Sequence, residues 1–405
     1  MNFANIGGGT NCKISILFLL LILIYLLPDE PTMSRTCVYY SNWSVYARKH
    51  FPRDIPVDVT TNLFYSFIGI DDVTGRVKLT DSWADLELPM DSGCGGSVKG
   101  SIRSLFELKR KYRKLKVSMS IGGWGTAHLF QNVMSDPVKM AAFVSSSIEF
   151  LLEYGFDGID IDWEYPNSPQ ESDQMVELLR QLRQGLNQIS NKLLLTVAAP
   201  ASPETANKLK VKQIDQYLDF WNLMCYDYAG SWSSTTGYHS NLFGNNGDNN
   251  INTADTIQLY VDAGVQPSKL VMGMPNYGRS FTAESDSIGI PFTQGKGSGD
   301  EAGIWSYKEL PVGIEKFDTR KVSAYCYDSS TKTLITYDNP QSARIKAMYV
   351  LSKGLGGGMW WESCGDDYSK KDRSLIYNFV DQLNGQLEET DNHLDIYGAS
   401  KYLNE

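Results

Sequence analysis

The chemistry-bearing residues of this 405-residue chain concentrate in one short segment, "FDGIDIDWEYP" from Phe156 to Pro166, where Asp157, Asp160, Asp162 and Glu164 are framed by Phe156, Ile159, Ile161 and Trp163. Read as a strand from Gly158 to Glu164, period-two alternation puts Asp160, Asp162 and Glu164 on one face and Ile159, Ile161 and Trp163 on the other. Three carboxylates stacked at alternate positions in a partly desolvated space cannot all ionise freely, because each negative charge raises its neighbours' proton affinity. At least one is expected to share or hold a proton near neutral pH, which makes Glu164, at the end of the strand, a candidate general acid supported by Asp162 and Asp160. A calcium loop fits poorly: Asp160, Asp162, Glu164 and Glu171 have an EF-hand-like spacing, but Tyr165 stands where that loop needs glycine. A solvated acidic run is at odds with the interleaved Ile and Trp.

Holding such a strand requires a sheet buried on both faces. Eight β-rich runs recur along the chain: "CVYYSNW" from Cys37, "NLFYSFI" from Asn62, "KVSMSIGG" from Lys116, "GIDIDWE" from Gly158, "LLLTVAAP" from Leu193, "FWNLMCYDY" from Phe220, "LVMGMPNYG" from Leu270 and "GGGMWWE" from Gly356. Amphipathic stretches with helical spacing lie between them, at Ser101–Lys114, Pro137–Tyr154, Ser172–Ile189, Thr253–Ala263 and Ser342–Lys353. Eight alternating units imply an α/β fold, a closed (β/α)8 TIM barrel whose active site sits at the C-terminal mouth of the strands, where Glu164 would lie. The spacing breaks once, between Tyr277 and Gly356, where "KVSAYCYD" and "TLITYD" alternate like strands. This segment reads as a small α+β insertion between strands seven and eight, since a structureless loop of that length is improbable. The expected organisation is a leader at 1–33, a barrel at 34–281 and 341–385, the insertion at 282–340 and a tail at 386–405.

Composition narrows the function classes. Hydrophobic residues make up 42% of the chain, which is the profile of a folded protein. A net charge of −10 argues against nucleic acid as partner, because such binding rests on neutralising phosphates. His50, His128, His239 and His393 are dispersed and form no metal-ligand motif, so neither metal nor cofactor is expected. Cys12, Cys37, Cys94, Cys225, Cys326 and Cys364 include no C-x-x-C pair, leaving room for one or two disulfides. The uncharged run Ile14–Leu27 has the length of a signal-peptide core, shorter than a spanning helix needs. Together with the N-x-Ser acceptor Asn42-Trp43-Ser44, it suggests a secreted or cell-wall protein. Membrane anchoring through an uncleaved Ile14–Leu27, or a leaderless cytoplasmic product starting at Met33, are the alternatives.

Asp157, Asp160, Asp162 and Glu164 fit the D-x-x-D-x-D-x-E signature of the family 18 glycoside hydrolases, the chitinases. "SIGGW" from Ser120, "MCYDYAGSW" from Met224, "MPNYGRSF" from Met274 and "GGGMWWE" from Gly356 resemble that family's segments at the corresponding strands. The likeness covers roughly residues 37 to 385 and is greatest to the fungal class V, bacterial-type enzymes, which carry an α+β insertion in the same place. It implies a monomeric hydrolase of chitin or N-acetylglucosamine oligomers, retaining but without an enzyme nucleophile. In that scheme Glu164 protonates the glycosidic oxygen, the substrate's 2-acetamido carbonyl attacks the anomeric carbon, and an oxazolinium intermediate forms. The resemblance assigns Asp162 to the acetamido N–H and Asp160 to holding Asp162 by sharing a proton. Ser120 and Tyr39 would support Asp160, Asp157 would be structural, and Tyr226, positioned with Asp227, would donate to the acetamido carbonyl. Met224 and Gly123 would line the pocket, Trp361 would lie under the sugar at the cleavage site, and Trp124 and Trp232 would stack on the leaving-group side. Tyr277 and Arg279 match substrate-contact positions. Cys225 and Asn276 depart from the family pattern without touching this chemistry, and Trp83 and Trp305 have no assignment. A chitin-binding lectin on the same scaffold would lack the acid present at Glu164. An endo-β-N-acetylglucosaminidase acting on N-glycans would share the chemistry but not need a long Trp-lined groove.

Overall fold

The structure is a computed structural model and describes residues 33–244, 251–299 and 301–394; the run Ile14–Leu27 and Cys12 lie outside the described residues. Eight parallel strands close into a ring: β1 (Arg35–Ser41), β2 (Asn62–Ile70), β3 (Lys116–Gly122), β4 (Gly158–Asp162), β5 (Leu194–Pro200), β6 (Phe220–Met224), β7 (Leu270–Pro275) and β8 (Gly357–Trp361). Each pairs with its neighbours in chain order, and β1 pairs with both β8 and β2, which leaves the ring no free edge. This is the expected (β/α)8 barrel, with all eight strands on the runs identified above.

Alternation along each strand separates two cores. Cys37, Tyr39, Phe64, Phe220, Val271 and Met359 fill the lumen. The opposite residues, among them Val38, Tyr40, Ile159, Ile161, Trp163, Trp221 and Trp360, pack under the surrounding helices. Trp163 stacks on Phe130 with ring centroids 5.2 Å apart, and Trp360 meets Phe379 edge-on at 5.1 Å.

The helices α1 (Ser101–Lys111), α2 (Ala127–Met134), α3 (Pro137–Tyr154) and α4 (Pro169–Ile189) follow the second, third and fourth strands, and Thr253–Asp262 and Pro340–Lys353 follow later. Two of them begin earlier than their apolar periodicity suggests. The Ser168 side chain caps α4 by accepting from the Glu171 amide, and Asn339 caps Pro340–Lys353 by accepting from Gln341 and Ser342. In both cases proline occupies the first helical position, where its missing N–H costs no hydrogen bond.

The segment between β7 and β8 is a mainly antiparallel sheet whose first strand, Tyr277–Thr282, pairs with Thr293–Gln294, Ile304–Ser306 and Thr333–Tyr337. Ser323–Asp328 and Ile314–Asp318 extend it. The sheet thus starts five residues before 282, separated from β7 only by Asn276, and its sole described helical piece is the 3-10 turn Tyr307–Glu309.

At the opposite pole the described part of the tail, through residue 394, belongs to the barrel's floor. Ser34 bridges to Leu387, Asn392 donates to the carbonyls of Lys109, Tyr112 and Leu115 at the end of α1, and the His393 amide donates to Asp157 Oδ1 at 2.8 Å. Asp157 also pairs with buried Lys109 at 2.6 Å and accepts from the Val117 amide, which agrees with a structural role for the first acid of the motif.

Two expectations change. Asn42 is only 2% exposed, and its side-chain amide donates to Thr80 and Asp85, so the acceptor motif presents no surface for a glycan and lends no support to a secretory route. The five described cysteines, Cys37, Cys94, Cys225, Cys326 and Cys364, are unpaired. No described helix is long and apolar enough to cross a membrane.

Candidate active site

Strand register builds the site from below. Asp160 on β4 lies level with Ser120 on β3 and Thr196 on β5. Its Oδ2 accepts from Tyr39 at 2.9 Å and Ser120 at 2.8 Å, and its Oδ1 accepts from Thr196 at 2.6 Å. Asn222 on β6 donates to the Tyr39 hydroxyl at 3.3 Å. Burial pushes the Asp160 carboxyl up, and these hydroxyl donors temper the rise. Tyr39 and Ser120 are where the family resemblance put them; Thr196 and Asn222 were not anticipated. Strand parity signals both, since each is the polar member of an otherwise apolar inward row, Thr196 level with Asp160 and Asn222 two residues further along β6.

One layer higher, Asp162 is buried and its Oδ1 has no hydrogen-bond partner. Asp160 accepts from three hydroxyls and no described hydrogen bond joins it to Asp162, so the expected proton-sharing contact is not observed. Burial, then the neighbouring charges of Glu164 and Asp160, hold the Asp162 carboxyl well above the carboxylate range. The strand ends at Asp162, so Glu164 emerges just beyond it at the mouth, half-buried. Burial pushes its carboxyl up to about 7, with the Tyr165 hydroxyl opposing and the charge of Asp227 reinforcing. An acid that is half protonated near neutrality can give a proton to a leaving oxygen and later take one from water.

The glycines of "SIGGW" permit the close fit of β3 to this layer. A Cβ on Gly122 would sit 2.2 Å from the Asp162 carbonyl oxygen, and one on Gly123 would meet the Phe67 ring at 2.6 Å. Both have positive φ, and the Gly123 amide donates to the Asp162 carbonyl at 2.9 Å.

The far wall comes from β6 and the inserted sheet. Met224 ends β6 against the lumen core, and the Tyr226 hydroxyl rests 4.0 Å from Met359 Sδ, committed to no stronger acceptor. Asp227 is held not with Tyr226 but by Tyr277, at 2.7 Å, and by Arg279, which donates to both carboxylate oxygens at 2.8 Å. Burial would raise the Asp227 carboxyl, but the neighbouring His239 ring and the Arg279 donors outweigh it and hold the group well below the usual range. The Arg279 guanidinium also lies over the Trp232 ring at 4.9 Å. Three carboxyls pushed up, those of Asp160, Asp162 and Glu164, and one held down, that of Asp227, is the pattern that divides acid and electrostatic roles.

The floor on the other side is aromatic. Trp361 points inward as parity predicts, stacks on Phe67 at 5.6 Å, and contacts Tyr39 at 5.6 Å and Trp43 at 6.4 Å. Behind it, Glu362 is bound by Arg48 from the loop after β1, and Asn276 donates to the Glu362 carbonyl. Trp43, Trp124 and Trp232 expose 40, 82 and 58% of their surfaces, which leaves broad apolar faces open at the mouth. Trp43 and Phe67 were not singled out from the sequence, because only the ring's closure brings the ends of β1 and β2 beside β8. Trp83 is exposed, and Trp305 donates to the Lys296 carbonyl within the insertion.

Comparison with known proteins agrees with this geometry. Sporulation-specific chitinase 2 of Saccharomyces cerevisiae is 41% identical over 397 residues, covering 85% of this chain and 77% of the yeast protein. Chitinase 1 of Aphanocladium album is 40% identical, covering 91% of this chain and 89% of its own. The catalytic domain of psychrophilic chitinase B from Arthrobacter TAD20 superposes with a TM-score of 0.82 at 27% identity, covering 89% of this chain and 98% of that domain. Residues 35–366 match the profile of Glycosyl hydrolases family 18, so the chain that carries this carboxylate strand belongs to that family and is a glycoside hydrolase.

Proposed function

We propose that this protein is a chitinase that cleaves β-1,4 bonds between N-acetylglucosamine units with retention, through a substrate-assisted oxazolinium route. The observation that carries the reading is the split among the mouth carboxylates. Glu164 is raised to about 7 and Asp162 is also raised, while Asp227 is neutralised by Arg279. Asp162 and Glu164 are two residues apart on one side of the pocket, not facing each other across a sugar ring as a nucleophile–acid pair would. Protonated Glu164 is suited to the leaving oxygen. Asp162, with Oδ1 unpartnered, is suited to an acetamido N–H and to the positive charge that develops as the acetamido oxygen closes on the anomeric carbon. The Tyr226 hydroxyl is available to orient that oxygen. Deprotonated Glu164 then activates the water that opens the ring. Trp361 and the exposed tryptophans supply apolar faces for a linear chain of sugars.

The deciding assay compares wild type, Glu164→Gln and Asp162→Asn on an N-acetylglucosamine oligomer and on its de-acetylated counterpart. Wild type should cleave the acetylated chain only, with kcat/KM falling above about pH 7 as Glu164 ionises. Binding without cleavage by wild type would leave a lectin standing. Cleavage of the de-acetylated chain, or unchanged turnover in Asp162→Asn, would rule out substrate assistance.

A further inference from the structure

One buried polar side chain beside the site has no task in this scheme. His239, in the loop after β6, is fully buried, and neither ring nitrogen has a partner within hydrogen-bond distance. Such isolation is costly, so a buried imidazole without partners calls for an explanation. The ring is well placed: Nδ1 lies 3.6 Å from Asp227 Oδ1, the centroid is 5.2 Å from that of Tyr277, and the backbone is fixed by the Tyr228 amide bonding the His239 carbonyl. Behind it, Lys346 donates to the Ser240 carbonyl and pairs with buried Asp338. The groups acting on the imidazole are therefore Asp227, Tyr277 and Arg279 on the site side and Lys346 and Asp338 on the other.

Asp227 Oδ1 is at present satisfied by Tyr277 and Arg279. Arg279 lies against the exposed Trp232 and Tyr277 beside Tyr226, so a sugar hydroxyl at the mouth would compete for them. This step rests on the proposed reading that a sugar chain occupies the mouth. We propose that His239 is a positioning residue: with its proton on Nδ1 it donates to Asp227 Oδ1 when substrate draws on Tyr277 and Arg279, keeping that carboxylate oriented and charged beside Glu164. A shift of well under 1 Å from the observed separation makes the bond, on the geometry of ordinary N–H···O contacts. Burial lowers the imidazole's proton affinity, which suits a neutral donor, and the carboxylates on either side only partly offset it.

Two measurements test this. The first needs no activity: 15N-histidine NMR of the full chain, with the His239 signal assigned by its loss in His239→Gln. A neutral ring protonated on Nδ1 and perturbed by Asp227→Asn is expected; an Nε2-protonated ring, or one indifferent to Asp227→Asn, overturns the proposal. The second is kinetic, on the N-acetylglucosamine oligomer. His239→Ala should lower kcat/KM by about tenfold, the scale of one lost hydrogen bond to a charged group. His239→Asn, whose amide nitrogen overlays Nδ1, should recover most of the loss, and His239→Gln, which reaches toward Nε2, should not. Equal behaviour of the three variants, or wild-type values in His239→Ala, would overturn it. If wild type cleaves nothing, the chitinase reading falls while the NMR outcome still judges His239.

Discussion

Replacing Glu164 by Gln should do more than stop cleavage: it should stabilise the fold at neutral and alkaline pH. The carboxyl is pushed from its ordinary 4.5 to about 7, chiefly by burial. Each pH unit of that displacement corresponds to about 1.4 kcal/mol, so holding the ionised carboxylate in the native site costs about 3 kcal/mol. The sign follows from the folded state binding the proton more tightly than the unfolded chain. Below about pH 4.5 both states are protonated and no cost exists; it grows as pH rises and is complete above about 7. Gln keeps the shape and never ionises. Removing the charge of Glu164 also relieves Asp162, which acts in the same direction. Urea unfolding of wild type and Glu164→Gln at pH 4, 6 and 8 reads the effect directly, because the two proteins share every other titratable group. The stability difference should favour the variant by about 3 kcal/mol more at pH 8 than at pH 4. A difference independent of pH, or one that turns against the variant at pH 8, would refute the claim that this site stores strain in an acid held above its ordinary pKa.

Two further outcomes follow from the barrel's floor and wall. Asp157→Asn strands the buried Lys109 ammonium and weakens the tie to the His393 amide, so denaturation should show a loss of about 3–5 kcal/mol, and a loss under about 1 kcal/mol would contradict it. Asn42 should be unmodified in folded, active protein produced through a eukaryotic secretory pathway; peptide mass spectrometry finding a glycan there in the active fraction would overturn the buried assignment.

The barrel was legible because its signal is repeated and local. Eight runs alternate with amphipathic stretches, and parity alone sorted Asp160, Asp162 and Trp361 inward and Ile161, Trp163 and Trp360 outward. What escaped depends on contacts between residues distant in the chain. Thr196 matters only once β5 is in register with Asp160, and Asn222 only once the closed ring brings it to the Tyr39 hydroxyl. His239 looked like one of four scattered histidines until the loop after β6 placed it behind Asp227. Asn42 matched an acceptor motif, but a motif does not report that Asp85 and Thr80 enclose the side chain. The starts of α4 and Pro340–Lys353 were in principle readable from Ser168-Pro169 and Asn339-Pro340, where capping chemistry outranks apolar periodicity.

The bridge between Ser34 and Leu387, with His393 bound to Asp157, brings both described ends of the chain to the pole opposite the catalytic mouth. A linker, tag or solid support joined directly before Ser34 or after His393 would leave from that pole. Immobilised at those positions, the enzyme would face away from its attachment, its cleft turned toward whatever polymer lies in front of it.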